Sequence, residues 1–293
     1  MKLPEHSLFI CPPQLHYKAY AMAKKHLNIL FIGDIVGKPG LDLLKTILPG
    51  LIEKHEADFV IANGENSHKG KGINRYIIQD LYDLGVHVIT GGNHSFAKWK
   101  VFSYMKTDPN ILRPLNYPNG NPGYGYTIYE LPDIGQKVGV LNLQGRTFLP
   151  NIDDPFSTAD WALDKIKKET DIVFVDFHAE ATAEKMAFAW HVDGLVSVIV
   201  GTHTHIPTND ARILPKGTGY ITDAGMTGSF DSVLGMDADT SHKRFTLGTP
   251  HRYKLADGNN HICAVKSTVD LETSECLHIE AITYPELINS KIN

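Results

Sequence analysis

The sequence predicts an α/β fold whose strands are covered by helices, and three observations predict it. From Leu27 onward, short apolar runs alternate with segments of helical spacing, the pattern of successive βα units. From Tyr124 the chain becomes richer in strands, with glycine and proline turns between them. Most of the apparent strands end in a small residue followed by a polar one. Two sheets between helical layers fit this count of elements, and so does a single doubly wound sheet.

The elements follow in order. Leu27 to Ile32 is a continuous apolar run ending in Gly33-Asp34. Leu41 to Glu56 has helical spacing, with Pro49-Gly50 expected to kink or break it. Asp58 to Ala62 reads as a strand ending in Asn63-Gly64-Glu65-Asn66, and Asn74 as the cap of a helix reaching Leu84. Val86 to Thr90 is a third strand, ending in Gly91-Gly92-Asn93-His94, with Ser95 as the cap of the next helix. Tyr124 to Leu131 and Lys137 to Leu143 read as neighbouring strands. A helix over 158–169, a strand from Asp171 ending at His178 and a helix from Ala181 to His191 follow. Leu195 to Val200 then leads into Gly201-Thr202-His203-Thr204-His205. After Ala211 come short strands, including His261 to Leu271 and Leu277 to Tyr284. Residues 1–26 hold three prolines, four lysines and no clear period. They read as an irregular extension, with 27–285 as one domain and 286–293 as a tail.

With 293 residues, 42% apolar and 21% charged, the composition is that of a globular chain able to bury a sizeable core. A net charge of −5 argues against an extended nucleic-acid surface but not against one small phosphate ester. Cys11, Cys263 and Cys276 are far apart, which points to a reducing compartment. No apolar run has membrane-spanning length, and Pro12-Pro13 cuts the N-terminal apolar stretch too short for a secretory signal. A cytoplasmic address without membrane association is the expectation.

Five loops at strand ends collect the chemistry: Gly33-Asp34, Gly64-Glu65-Asn66, Gly92-Asn93-His94, Phe177-His178 and Thr202-His203-Thr204-His205. Open α/β sheets place ligands at that edge. Their inventory is two carboxylates, two amides and four imidazoles, an oxygen and nitrogen set suited to Mn, Fe, Zn or Co. Eight donors exceed one tetrahedral site. They suit two ions roughly 3.5–4 Å apart that share a carboxylate and a hydroxide, a nucleophile for in-line attack on phosphorus. Glu65 is the better bridge because its arm is longer. Each piece has a plainer reading when taken singly: Asp34 as a helix cap, Glu65 and Asn66 as a polar turn, Asn93-His94 as a turn, His178 as a satisfied core histidine. His55, His242, His251, His261 and His278 stand among polar neighbours and read as surface residues. His87 and His191 read as structural. The glycines of 64–72 lack the spacing of a phosphate loop, and no Gly-x-Ser-x-Gly elbow is present.

In this order, Gly-Asp, Gly-Asn-His and Gly-Thr-His-Thr-His resemble the calcineurin-type metallophosphoesterases. Phe31-Ile32-Gly33-Asp34-Ile35-Val36-Gly37, Gly64-Glu65-Asn66, the 201–208 segment and Thr222-Asp223-Ala224-Gly225-Met226-Thr227-Gly228 resemble the YmdB-like branch. Val36 stands where the wider superfamily has the histidine of Asp-x-His. The resemblance implies a four-layer α/β/β/α metallophosphoesterase sandwich. It implies Asp34, Glu65, Asn66 and His205 around one metal and Glu65, Asn93, His178 and His203 around the other. His94 becomes the general acid for the leaving oxygen, with a third-ligand role as its competitor. Two Fe or Mn ions, with Zn the alternative, are the implied cofactors. Hydrolysis of 2′,3′-cyclic AMP-like nucleotides is the implied activity, and homo-oligomers are the implied assembly.

The chain departs from the branch at His68-Lys69, where small residues are usual, and at Ser95-Phe96-Ala97, which replaces Thr-Trp-Asp. His68 and Phe96, with Thr204, Met226 and Thr227, are taken as substrate-facing. Lys69 and Lys71 read as solvated loop charges, with phosphate contact the alternative. Two other activities compete: a phosphomonoesterase or protein phosphatase on the same metals, and a regulatory nucleotide sensor with little turnover.

Overall fold

The computed structural model describes residues 24–287. In chain order the strands are β1 (His26–Ile32), β2 (Asp34–Ile35), β3 (Phe59–Asn63), β4 (Val88–Thr90), β5 (Tyr126–Leu131), β6 (Gln136–Gln144), β7 (Val173–His178), β8 (Val198–Thr202), β9 (Arg212–Ile213), β10 (Gly219–Ile221), β11 (Met226–Ser229), β12 (Asn260–Asp270) and β13 (Cys276–Tyr284). The helices are α1 (Gly37–Lys54), α2 (Arg75–Asp83), α3 (Phe102–Thr107), α4 (Pro155–Ile166), α5 (Thr182–Val192) and α6 (Ala238–Leu247). They form a mixed α/β structure with two sheets. One has the order β2-β11-β12-β1-β3-β4, with β13 also on β12; the other has the order β5-β6-β7-β8-β10-β9.

The apolar runs are continuous because both faces of these strands are buried. Alternate residues of β1 enter different cores, as the twofold period of a strand requires. Leu27, Ile29 and Phe31 join a cluster that also holds Val140, Phe174, Val198 and Val200 of the second sheet. Leu30 and Ile32 point the other way, toward Leu41, Leu44 and Leu48 of α1 and Ile77 of α2. The second sheet divides likewise, sending Leu141, Val173, Val175 and Ile199 toward Ala159 and Leu163 of α4 and Phe188 of α5. Phe31 and Phe174 stack across the two sheets with ring centroids 5.3 Å apart.

β1, β3 and β4 run parallel, and so do β6, β7, β8 and β10. The polar loops therefore leave the same ends of the parallel strands within each sheet. Asn74 caps α2 as expected, accepting from the N–H groups of Tyr76 and Ile77.

Several local expectations fail for tertiary reasons. Pro49 does not break α1, which runs through it. Pro49 and Gly50 lie on the exposed face, while Leu44, Leu48 and Leu51 hold both halves against the sheet. The carbonyl that loses its helical partner can therefore be solvated. Ser95 caps no helix: its Oγ accepts from the Gly92 N–H at 3.0 Å, and a 3₁₀ turn at Trp99–Val101 leads into α3. His261 is buried rather than at the surface, bridging the Pro285 carbonyl (2.7 Å) and Asn259 Oδ1 (2.9 Å). His87 has the structural role expected of it, accepting the Val60 N–H at Nδ1. The expected extension and tail lie, at 1–23 and 288–293, outside the described residues. Among the described residues no helix is long and apolar enough to cross a membrane.

Candidate functional site

Loops from both sheets meet. Asp34 follows β1, Glu65-Asn66 follows β3, and Asn93-His94 follows β4. His178 closes β7, and His203 and His205 follow β8. Glu65 Oε1 lies 3.1 Å from His178 Nε2 and accepts from Asn66 Nδ2 at 3.1 Å. His178 Nε2 is also 2.9 Å from Asn93 Oδ1 and 3.0 Å from His203 Nδ1. One donor atom each from Glu65, His178 and His203 lie within 4.8 Å of one another, a grouping able to hold a metal ion. Beside it, His205 Nε2 stands 3.1 Å from Asn66 Nδ2 and 3.8 Å from Asp34 Oδ1.

Backbone geometry makes this convergence feasible. At Gly92 a Cβ would come within 2.3 Å of the His178 ring, so the loop after β4 can approach only as glycine. His203 and His205 adopt φ of +100° and +67°, conformations that cost a non-glycine residue on the order of 1–3 kcal/mol each. Strain of this kind persists where surrounding contacts over-determine it.

His178, His203 and His205 each have the outer nitrogen engaged and the inner one turned to the cluster. His178 Nδ1–H donates to Thr202 Oγ1 (2.9 Å), His203 Nε2–H to Glu180 Oε2 (3.0 Å) and His205 Nδ1–H to the Leu234 carbonyl (3.0 Å). Such outward bonds orient the ring and aim the inner nitrogen at the cluster. Asp34 is fully buried; its Oδ2 accepts the His203 N–H at 3.2 Å, while Oδ1 has no hydrogen-bond partner among the described residues. A buried carboxylate oxygen without a donor is costly, and a cation would satisfy it. The donor set therefore fits a metal.

The charges of the cluster act strongly on one another, and a cation would displace the proton that His178 Nε2 holds toward Glu65. Burial drives the Glu65 carboxyl up, but the charge and hydrogen bond of His178, with the His94 N–H, outweigh it and leave it at about 2. Burial disfavours the charged form of His178, yet Glu65, Asp34 and Asp176 push it up to about 9. Burial, then the neighbouring His178 charge, takes His203 down to about 3. Asp34 is raised by burial, with His205 and His178 opposing.

A sequence profile described as YmdB-like protein matches residues 30–282. The chain belongs to the YmdB-like family. It is 47% identical over 256 residues to a Bacillus subtilis (strain 168) protein named 2′,3′-cyclic-nucleotide 2′-phosphodiesterase, covering 87% of this chain and 96% of that one. The crystal structure of a hypothetical protein from Thermus thermophilus superposes with a TM-score of 0.82 at 38% identity, covering 88% of this chain and 99% of that one. That of a novel phosphatase from Mycoplasma pneumoniae also gives 0.82, at 36% identity and 88% and 93% coverage.

In this YmdB-like protein the substrate-facing expectations are distributed unevenly. His68 borders an open groove and contacts Asn74 Nδ2 through its Nδ1 at 2.6 Å. The Phe96 ring packs edge-on against Phe102 and Tyr117. The Thr204 hydroxyl donates to Asp223 Oδ2 at 2.8 Å. Met226 and Thr227 are buried in β11, where the Thr227 hydroxyl donates to the Cys263 carbonyl at 3.4 Å.

Sequence reasoning missed the residues behind the cluster. Thr202 Oγ1 donates to Asp176 Oδ1 at 2.6 Å, so it must accept from His178; Thr90 Oγ1 and Asn63 Nδ2 hold the other oxygen of Asp176 at 2.5 and 3.0 Å. Asp223 forms a buried ion pair with Lys185 at 2.6 Å and accepts the Thr204 N–H, pinning the loop of the two strained histidines. The available signal was a charge inside an apolar strand: Asp176 stands two residues before His178 and so on the same face. Thr202→Val is expected to weaken metal binding about 10–100-fold while Thr202→Ser restores it. Metal titration of the chelated protein checks this, and unchanged affinity in Thr202→Val would remove Thr202 from the orienting chain.

Proposed function

We propose that this chain is a phosphodiesterase hydrolysing small cyclic nucleotides of the 2′,3′-cyclic AMP kind at a site for two cations. Asp34 Oδ1, without a hydrogen-bond partner among the described residues and beside three histidines whose inner nitrogens face the cluster, carries this reading. The Bacillus relative, a 2′,3′-cyclic-nucleotide 2′-phosphodiesterase by name, supports the substrate class. Asp34, Glu65, Asn66 and His205 would hold one cation, and Glu65, Asn93, His178 and His203 the other. Oxygen and imidazole donors suit Fe or Mn, with Zn the alternative. Three separate cores, one shared by the two sheets and one beneath each helical pair, support a four-layer α/β/β/α sandwich. The pairing of β1 with β12 supports one domain over 27–285.

Bound cations supply Lewis acidity, which makes water nucleophilic near neutral pH and offsets charge on the phosphoryl oxygens. The protein's own residues do the rest. His94 donates its backbone N–H to Glu65 Oε2 at 2.7 Å, so its loop is referenced to the carboxylate between the two donor groups. From there its ring would give a proton to the departing ribose oxygen. His68, at the mouth, would face the substrate.

Chelated protein should lose hydrolysis of 2′,3′-cyclic AMP and recover it with Mn or Fe, in parallel with metal content by elemental analysis. Chelator-resistant turnover would end the reading. The Mycoplasma relative, described as a phosphatase, favours a second reading, a phosphomonoesterase. Turnover of p-nitrophenyl phosphate exceeding that of bis-p-nitrophenyl phosphate would select it.

A further inference from the structure

Next to the loops of Asn66 and His94 lies a groove of about 640 Å³ of which the proposed function uses only the His68 rim. Its near wall is His68 and Ala97, from those same two loops. The loops touch: a Cβ on Gly72 would meet Lys98 Cγ at 2.8 Å and Ala97 Cβ at 3.3 Å. The far wall carries Arg75, Lys98 and Lys100 between Tyr76, Trp99 and Tyr104, and no acidic residue lines it. Tyr76 is 66% exposed and Trp99 73% exposed, so their ring faces are available. Arg75 donates to the hydroxyls of Tyr76 (2.6 Å) and Tyr104 (3.3 Å) and lies over the Tyr76 ring at 4.5 Å. Lys100 sits 5.7 Å from the Trp99 centroid. Among the described residues none of these three cations is paired with a carboxylate.

We propose that this groove binds the chain of an oligoribonucleotide whose 3′ end, a 2′,3′-cyclic phosphate, is the diester hydrolysed in the adjoining site. The proposal rests on the phosphodiesterase reading and narrows its substrate class. A free cyclic mononucleotide carries one phosphate, which the cations would hold, and one base. It has no use for three further positive charges interleaved with three aromatic rings. That alternation matches a single strand, whose bases stack on aromatic faces while lysine and arginine follow the phosphates. A chain with net charge −5 that gathers cations without acids at one mouth offers local, not general, attraction to a polyanion. A cyclic phosphate on the terminal ribose leaves the 5′ side free to continue into the groove. The chemistry is unchanged: the oxygen of water joins phosphorus, one ring P–O bond breaks, and the released oxygen takes a proton to become a hydroxyl.

The test compares kcat/KM for 2′,3′-cyclic AMP and for a short oligoadenylate ending in a 2′,3′-cyclic phosphate. The oligonucleotide should be preferred by about tenfold or more, the worth of one or more stacked bases. The preference should shrink as salt rises. Trp99→Ala and Tyr76→Ala, both at exposed positions, should lower the oligonucleotide rate toward that of the mononucleotide and leave 2′,3′-cyclic AMP turnover unchanged. Equal kcat/KM for the two substrates would overturn the proposal. So would a preference that survives in the double variant, or sedimentation showing that Trp99→Ala only dissociates an oligomer. Fluorescence anisotropy of a labelled oligoadenylate separates the two failures. If neither substrate is hydrolysed but the strand binds through Trp99, the phosphodiesterase reading falls; if the mononucleotide alone is turned over and the strand does not bind, the groove proposal falls.

Discussion

Glu65→Gln is expected to yield a folded protein stripped of cations, with kcat for 2′,3′-cyclic AMP lowered by about 10³-fold or more. The Glu65 carboxylate is in contact with both donor groups. Its Oε1 meets Asn66 on one side and His178 on the other, and its Oε2 takes the His94 N–H. Glutamine keeps the length but removes the charge and replaces an acceptor oxygen with an N–H donor. That donor would point at the atoms of Asn93, His178 and His203 that converge there. Lewis-acid stabilisation of the transition state amounts to several kcal/mol, and each 1.36 kcal/mol is about tenfold in rate, which gives the figure above. Asn93→Ala removes a donor from one group only and should retain partial metal content. Elemental analysis, initial rates and a thermal melt on the same preparations decide the matter. A Glu65→Gln protein that keeps its metal and turns over within a few-fold of the parent would show that this carboxylate does not join the two groups.

The residues that the structure brings together were legible because their loops follow apolar runs, and parallel strands release their loops at a common edge. What the chain could not reveal is that β3 and β4 belong to one sheet and β7 and β8 to another. The contact of Glu65 with His178 depends on how those sheets face each other. Asp176 is intelligible only with Thr202, Thr90 and Asn63, from three other strands, around it. Local rules failed where tertiary partners took over: the Ser95 oxygen went to Gly92 rather than to a helix end, and α1 ignored Pro49 because the loss falls on its wet face. Helix α6 escaped notice for a different reason. Only Ser241 is buried in it, so there was no apolar stripe to find, although Asp237 caps it.

His94→Ala is expected to lower kcat for 2′,3′-cyclic AMP by about 10²–10⁴-fold, the usual worth of a positioned proton donor. Metal content should stay at the parent level, which separates the acid role from that of a ligand. His94 is held by its backbone, not its ring: the N–H to Glu65 survives the substitution, so the loop and Asn93 should stay in place. Among the described residues the ring donates no hydrogen bond to the cluster, its Nε2 lying 3.5 Å from Asn93 Nδ2. The discriminating measurement is the leaving group. A ribose oxygen departs as a basic alkoxide unless it is protonated, whereas p-nitrophenolate is stable without a proton. The variant should therefore lose far less activity on bis-p-nitrophenyl phosphate than on the cyclic nucleotide. Equal losses on both substrates, or a fall in bound metal, would reassign His94 from proton donor to metal ligand.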